Sequence, residues 1–148
     1  MLRLIPRTAL KALQSWRSWR RWVRHGLTMQ KGDLFRARLP KDAIGHEQRG
    51  VRCAVVLQAS ELELSTVIVA PTSTRALATS FRPEIQVVGQ RTRVLAEQLR
   101  TVDRRRLGEP VGRLTWEELE EVDRALETVL GSHAEFSHLS RHEPSSSG

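Results

Sequence analysis

The chain has 148 residues, the length of one domain with terminal extensions, and its 39% of hydrophobic residues suffice for one modest core. Its longest stretch without a charge, residues 64–74, contains proline, serine and threonine and excludes a membrane span, while the single cysteine excludes an intrachain disulfide and a CxxC zinc site and favours a reducing cytoplasm. The whole formal net charge of +7 lies in residues 1–28, so it gives no argument for nucleic-acid binding by the rest of the chain.

Residues 1–28 form a basic extension with seven basic and no acidic side chains. Three tryptophans recur at every third position from Trp16 onward, interleaved with arginines. This pattern is compatible with an amphipathic helix on an anionic membrane or on nucleic acid. The favoured interpretation is upstream sequence outside the working protein, because Met29 opens a new strand-like pattern at which translation could begin. The folded domain is therefore expected over residues 29–131.

The first half of this domain has the pattern of three strands separated by polar loops. In residues 33–39, apolar side chains alternate with arginines, which predicts a half-buried strand. Two short runs rich in β-branched residues, 52–58 and 65–70, predict buried strands. Polar loops are expected over residues 40–50, after the first strand, and over residues 71–79, after the third.

The second half predicts a hairpin and one more strand. The hairpin pairs residues 83–88 with residues 93–98 around a turn at Gly89, and the further strand covers residues 109–114. Several short strands followed by one helix indicate a mainly β fold: a small, strongly curved antiparallel barrel with a C-terminal α-helix packed on it.

The closing helix is bounded by clear local signals. Thr115 and Glu118 match the capping box S/T-x-x-E, and Gly131 ends the helix. Residues 132–148 are rich in serine and histidine and are expected to be a disordered tail; a metal-binding role for its histidines is the weaker alternative. The apolar stripe of the helix is interpreted as core packing and comprises Trp116, Leu119, Val122, Leu126, Val129 and Leu130.

The loop before the second strand gathers candidate chemistry. It contains His46, Glu47, Gln48 and Arg49, and Arg52 stands at the start of the strand. The apolar run that follows should hold the base of Arg52 rigidly while its head reaches the rim, which suits a phosphate clamp. From the pattern alone, a surface arginine in an ion pair is the simpler interpretation.

Two further polar patches are candidates. Residues 71–75 place Thr72, Ser73, Thr74 and Arg75 after a buried strand, where hydroxyls can grip a phosphate or satisfy a local turn. Between residues 82 and 113 there are eight arginines and four acids, so a local basic stripe is compatible with a neutral domain. Few aromatic residues lie in the domain, which makes base stacking a weak prospect. Walker A, GxGxxG, HExxH and GxSxG motifs are absent.

Six short motifs, in order and with the right spacing, resemble the MazF/PemK toxins of bacterial toxin–antitoxin modules. They are KGD, GHEQRGVR, AVVLQ, VIVAPTSTRA, EQLRTVDRRRLGEPVGRL and VDRALETVLG. The resemblance implies an SH3-like barrel, usually a homodimer, that cuts single-stranded mRNA at short sequences in the cytoplasm without a metal or cofactor. The 2'-hydroxyl of the RNA attacks the adjacent phosphorus, giving a 2',3'-cyclic phosphate and a 5'-hydroxyl. An antitoxin partner with an acidic segment, and DNA binding through the toxin–antitoxin complex, are also implied.

The resemblance assigns roles to particular positions. Arg52 matches the arginine that stabilises the transition state and donates a proton, Ser73 matches the residue that holds the scissile phosphate or the attacking hydroxyl, and Glu47 is a base or a loop organiser. Further RNA-contacting positions are expected at His46, Gln48, Thr72, Thr74, Arg75, Glu97 and Gln98.

Three positions depart from the family pattern, and the first of them keeps a second hypothesis open. Cys53 stands where the family usually has proline, and a proline would fix the backbone beside Arg52. Leu95 replaces an arginine of the PemK branch, which weakens an acid–base scheme of His46 with Glu97, and Ser73 replaces the more usual threonine. The alternative is a catalytically inactive barrel that binds an antitoxin or nucleic acid.

Overall fold

The structure is a computed structural model that describes residues 29–131. In these residues the fold consists of a seven-stranded antiparallel sheet and one α-helix. The expectations for residues 1–28 and 132–148 concern segments outside the described residues. In chain order the elements are β1 (Asp33–Leu39), β2 (Gly50–Val56), β3 (Thr66–Ser73), β4 (Glu84–Val87), β5 (Gln90–Val94), a 3-10 turn (Ala96–Gln98), β6 (Arg100–Asp103), a second 3-10 turn (Arg104–Arg106), β7 (Leu107–Arg113) and α1 (Trp116–Leu130).

The sheet curls because β3 changes partner along its length. The strand order is β4-β5-β3-β2-β1-β7, and β6 pairs with the first half of β3. Residues 66–69 of β3 face β6, whereas Thr72 and Ser73 face β5. Together with α1 this gives the predicted mainly β, curved antiparallel fold with a C-terminal helix, so that prediction is confirmed.

Pro71 lies within β3, so the prediction of a loop from this residue onward is wrong. It stands between the part of β3 that pairs with β6 and the part that pairs with β5. Its carbonyl oxygen points to that junction and accepts a hydrogen bond from the Leu95 amide at 2.9 Å. Because the missing N–H falls at the junction, the proline interrupts no ladder and the strand continues to Ser73.

Two hydrophobic clusters lie on opposite faces of β1 and β2. Phe35 and Ala54 face the first cluster, and Leu34 and Val55 face the second, which α1 covers through Val122. The start of β1 is therefore buried on both faces. The sequence pattern had predicted a strand buried on one face only. The exposed residues of β1 are arginines, Arg36 and Arg38.

The helix has the predicted start but not the predicted apolar face. Glu118 N–H donates to Thr115 Oγ1 at 3.2 Å, and Thr115 N–H donates to Glu118 Oε2 at 2.9 Å, which forms the capping box. The prediction that Trp116 and Leu130 pack in the core is wrong, since they are 71% and 66% exposed. They lie in the first and last turns, beyond the sheet surface that the middle of the helix covers.

Other boundaries also differ from the sequence predictions. The second arm of the hairpin is Gln90–Val94 and not residues 93–98, because Ala96–Gln98 turn back as a 3-10 helix. The strand Arg100–Asp103 was not predicted, since Val102 is its one buried residue. The last strand begins two residues earlier than expected, at Leu107. Within residues 29–131, no helix is long and apolar enough to cross a membrane.

A buried ion pair joins the first strand to the last. Asp33 is 1% exposed; its carboxylate accepts from the Arg113 Nε at 2.7 Å and from the Gln30 amide at 2.8 Å. The two residues are register partners at the ends of β1 and β7. The pair therefore fixes the edge of the sheet just before the chain enters α1.

Replacing Asp33 with alanine is expected to lower the free energy of unfolding by about 3–5 kcal/mol at neutral pH, because the half-buried Arg113 guanidinium loses its carboxylate. Urea unfolding measures this loss. The matched control is Glu120→Ala, which removes an exposed ion pair with Arg124 on α1 and should change stability by at most about 0.5 kcal/mol. A loss below about 1 kcal/mol for the Asp33 variant contradicts the role given to this pair.

The same carboxyl gives the pH dependence a defined sign. Burial raises the pKa of Asp33, and the hydrogen bonds from Arg113 and Gln30 offset only part of that effect. The folded state therefore holds this proton more tightly than the unfolded chain does. The contribution of the group is largest below its unfolded-state pKa and declines as the pH rises through the folded-state pKa. The stability gap between the native protein and the alanine variant should widen on acidification.

Candidate active site

A small pocket lies where the end of β3 meets β2 and the β4–β5 hairpin. Its volume is about 190 Å³, and both Arg52 and Ser73 line it. These two side chains, which come from separate segments of the chain, thus border one cavity of the size of a small ligand group. The remaining lining residues are Val51, Cys53, Thr72, Thr74, Val87, Gln90 and Thr92.

The Arg52 side chain is exposed and makes one hydrogen bond to the rest of the described protein. It lies in β2 opposite Ala37 of β1, two residues before the fully buried Ala54. Its Nε donates to the Arg49 carbonyl at 3.3 Å, and within residues 29–131 the guanidinium has no carboxylate partner. The simpler interpretation from the sequence, an ion-paired surface arginine, therefore does not describe this residue among the described residues. Arg52 lines the pocket, and its remaining N–H donors can fork onto an anion there.

The hydroxyls at the end of β3 have different roles. Ser73 Oγ accepts from the Arg75 amide at 3.3 Å, which leaves its hydrogen free to donate. Thr72 is buried, and its Oγ1 donates to the Cys53 carbonyl at 2.9 Å, so it extends the link between β3 and β2. Thr74, which lines the pocket, and Arg75 are both exposed. Ser73 and Thr74 therefore both keep a hydroxyl proton free to donate, and both line the pocket together with Arg52.

Cys53 occupies the position that follows the candidate arginine. Burial raises the pKa of its thiol to about 12, so the group is protonated at neutral pH. Pairing with Arg36 in β1 and the bond from Thr72 fix its backbone. The strand thus supplies here the backbone restraint that a proline would otherwise supply.

The loop between β1 and β2 is organised by Glu47 and by a distant glutamine. Glu47 Oε2 accepts from the Ile44 amide at 2.9 Å, and Glu47 N–H donates to the Ile44 carbonyl at 3.2 Å. Gln98 Oε1 accepts from the Gln48 amide at 2.8 Å, and its Nε2 donates to the His46 carbonyl at 3.1 Å. Of the two possibilities for Glu47, base or loop organiser, these contacts favour the organiser. Its side chain is not among those that line the pocket.

Glu97 lies outside the pocket as well. Its Oε1 accepts from the Nε and the Nη2 of Arg82, both at 2.7 Å, with both side chains 25% exposed. His46 is exposed and presents its carbonyl, not its ring, to Gln98. The expected site residues thus divide into two groups. Arg52, Thr72, Ser73 and Thr74 share the pocket, and the others lie on or brace the surrounding loops.

A larger concavity of about 990 Å³ adjoins the pocket at Val51, which lines both. We call it the arginine groove. It is lined by Arg36, Arg38, Val51, Asp103, Arg105, Arg106, Leu107, Gly108 and Glu109. Arg105 clamps Asp103 through two hydrogen bonds of 2.9 and 3.0 Å and lowers the pKa of that carboxyl to about 2. Within the described part of the chain, Arg36 and Arg38 have no carboxylate partner, so the groove carries uncompensated positive charge.

Some lining residues were missed by the sequence analysis. Val87, Gln90 and Thr92 come from the hairpin, and they reach the pocket because β5 pairs with the last two residues of β3. Nothing local in the sequence signals that pairing. Arg36 and Arg38 did carry a signal, since their alternation with buried residues places both on one face of β1. Among residues 29–131 no cluster of three or more metal-ligating side chains occurs.

Comparison with known proteins places the described fold in a family. The family model for PemK-like, MazF-like toxins of type II toxin–antitoxin systems matches residues 30–130. A relative from Mycobacterium tuberculosis that is named as a toxin is 39% identical over 102 residues, which covers 68% of this chain and 96% of the relative. Endoribonuclease MazF from Staphylococcus saprophyticus is 30% identical over 118 residues, which covers 74% of this chain and 98% of that protein.

A solved structure agrees with these matches. The crystal structure of MazF from Deinococcus radiodurans has a TM-score of 0.62 and 29% sequence identity, and the match covers 70% of this chain and 97% of that one. The resemblance noted in the sequence is confirmed by the family match, and the expected barrel by the fold. Because the family match spans more than half of the chain, the protein belongs to the PemK-like, MazF-like toxins of type II toxin–antitoxin systems.

Proposed function

We propose that this protein is the toxin of a toxin–antitoxin module and acts as a metal-independent endoribonuclease on single-stranded mRNA. The observation that carries the proposal is the pocket shared by Arg52 and Ser73. A permanently charged fork and a hydroxyl with a free proton are suited to a phosphodiester, whose charge grows on the way to a pentavalent transition state. The family membership and the endoribonuclease name of the Staphylococcus relative support it.

In the proposed reaction the RNA supplies its own nucleophile. The 2'-hydroxyl oxygen forms a bond to the adjacent phosphorus, and the bond from phosphorus to the 5'-oxygen breaks. The products are a 2',3'-cyclic phosphate and a 5'-hydroxyl, so the 2'-hydroxyl gives its proton to solvent water and the leaving 5'-oxygen takes one proton up from solvent water. Arg52 pairs with the non-bridging oxygens and donates a hydrogen bond to the leaving oxygen, while Ser73 holds the phosphate in line with the attacking hydroxyl.

The residues around the pocket would contact the flanking nucleotides. Thr74 lines the pocket and is followed by the exposed Arg75, and His46 and Gln48 lie on the loop that precedes Arg52. Single-stranded RNA is recognised by fine geometry of such loops. Glu47 keeps its loop in shape through the Ile44 turn, which is the role proposed for it.

The arginine groove is the proposed path for the RNA backbone beyond the scissile phosphate. It meets the pocket at Val51, and Arg36 and Arg38 offer charges that no carboxylate of the described residues neutralises. The same charge suits an acidic antitoxin segment that folds on binding and covers the groove. A homodimer in the cytoplasm, with DNA bound through the toxin–antitoxin complex, completes the proposal.

Digestion of a single-stranded RNA in the presence of EDTA tests the function. We expect cleavage at defined sequences, and mapping of the ends should find a 2',3'-cyclic phosphate upstream and a 5'-hydroxyl downstream. Cleavage that needs an added divalent metal, or products with a 5'-phosphate, would rule out the mechanism. Protein that binds its antitoxin but neither cuts RNA nor arrests growth would favour the inactive binding barrel instead.

A further inference from the structure

We infer that Glu97 and Gln98 are positioning residues that fix the two loops on either side of the candidate active site, and that neither touches RNA. The inference rests on the proposed function. It assigns to one 3-10 turn the task of keeping Arg52 and Ser73 at a common phosphate. It differs from the expectation that these two residues contact RNA.

The turn Ala96–Gln98 is a firm base for such a role. Ala96 and the preceding Leu95 are buried, and the Leu95 amide donates to the Pro71 carbonyl at 2.9 Å. Within the turn, Gln98 N–H donates to the Leu95 carbonyl at 3.0 Å. The helix α1 also packs against this turn. The backbone beneath Glu97 and Gln98 is therefore anchored to β3 and to the core.

Gln98 holds the loop between β1 and β2. Its side-chain oxygen accepts from Gln48 N–H, and its side-chain nitrogen donates to the His46 carbonyl. Both side-chain polar atoms thus bind backbone groups that lie 50 and 52 residues away in the sequence. The other hydrogen bonds of this loop are local, such as those between Glu47 and Ile44. Gln98 thus joins the strand-proximal part of that loop to the core. This loop leads directly into Arg52.

Glu97 holds the loop between β3 and β4. Its Oε1 receives both Nε and Nη2 of Arg82, and Arg82 in turn contacts the Leu77 carbonyl at 3.5 Å and lies over the Phe81 ring at 5.6 Å. The Arg82 carbonyl accepts from Arg93 Nη1 at 3.3 Å, which ties the same loop end to β5. This loop begins immediately after Ser73.

The carboxylate of Glu97 is not open to a substrate. One oxygen is occupied by Arg82, and the other, Oε2, is buried from solvent. The amide of Gln98 is likewise used at both ends. Because an error of about 1 Å in the placement of reacting groups can cost about a hundredfold in rate, loosening either loop should lower kcat without removing any group that touches RNA.

A double-mutant cycle on kcat and KM tests the inference. Glu97→Ala and Arg82→Ala should each lower kcat about tenfold to a hundredfold, with KM changed less than about threefold, and the double variant should be no slower than either single one. Gln98→Ala should act similarly, and Gln98→Glu, which keeps the acceptor for Gln48 N–H, should recover part of the rate. Glu120→Ala on the surface of α1 is the control and should be unchanged. A much larger loss for Glu97→Ala than for Arg82→Ala, or additive losses, would overturn the inference in favour of direct RNA contact by Glu97.

Peptide-level hydrogen exchange on the full chain separates failure of this inference from failure of the proposed function. Glu97→Ala and Arg82→Ala should speed exchange in residues 74–83, and Gln98→Ala should speed it in residues 40–49, while β1 and β2 stay protected. This result needs no cleavage activity. Unchanged exchange in both loops would refute the positioning role even if the native protein cuts RNA. If the native protein does not cut RNA but the exchange pattern is found, the proposed function fails and the positioning of the loops stands.

Discussion

Arg52→Ala should lower the single-turnover rate of RNA cleavage by about a thousandfold or more while the protein stays folded. Loss of one preorganised donor at a developing oxyanion costs about 10²–10³ in rate, and Arg52 offers several donors and a full charge to the same phosphate. The fold should tolerate the change, because the exposed side chain makes one long hydrogen bond, at 3.3 Å to the Arg49 carbonyl. The free energy of unfolding should stay within about 0.5 kcal/mol of the native value.

Two further variants make the Arg52 result specific. Arg52→Lys keeps the charge but loses the planar fork, so it should recover only part of the rate. Arg124→Ala removes an exposed guanidinium from α1 and should cleave RNA at the native rate. Full activity of Arg52→Ala, measured with folded protein, would remove Arg52 from the reaction and with it the proposed mechanism.

The parts of the fold that were predictable from sequence are those fixed by local patterns. Alternation placed β1 at residues 33–39, and the pair Thr115 and Glu118 marked the start of α1. The parts that were wrong depend on long-range pairing. Arg100–Asp103 has one buried side chain and becomes a strand because β3 offers it a free edge, and Pro71 stays in a strand because two partners of β3 meet there.

The same distinction between local patterns and long-range contacts applies to the candidate site. Arg52 and Ser73 were identifiable because each borders an apolar run and because both match a family motif. Glu97 and Gln98 also match the family, yet their partners lie 15 and about 50 residues away, and no pattern in the sequence reveals that these polar atoms are used internally. The family motif thus indicated which positions matter. The roles of Glu97 and Gln98 became evident only from their hydrogen-bond partners on distant loops.

Ser73→Ala should lower kcat about a hundredfold to a thousandfold, the range for loss of a single hydroxyl donor at a phosphate in a preorganised site. The Arg75 amide that Ser73 Oγ now accepts from is exposed and can turn to water, so stability should change little. Ser73→Thr keeps a hydroxyl at this position, on the side chain that the family more often carries there, and should keep most of the activity.

Combining Ser73→Ala with Arg52→Ala shows whether the two side chains act on one phosphorus. Groups that act as a unit lose rate non-additively, so the double variant should be scarcely slower than Arg52→Ala alone. Fully additive losses would mean that Ser73 acts at another step or another nucleotide. An unchanged rate for Ser73→Ala would leave Arg52 without its partner in the pocket, and the hydroxyl would then belong to the β3 turn rather than to the reaction.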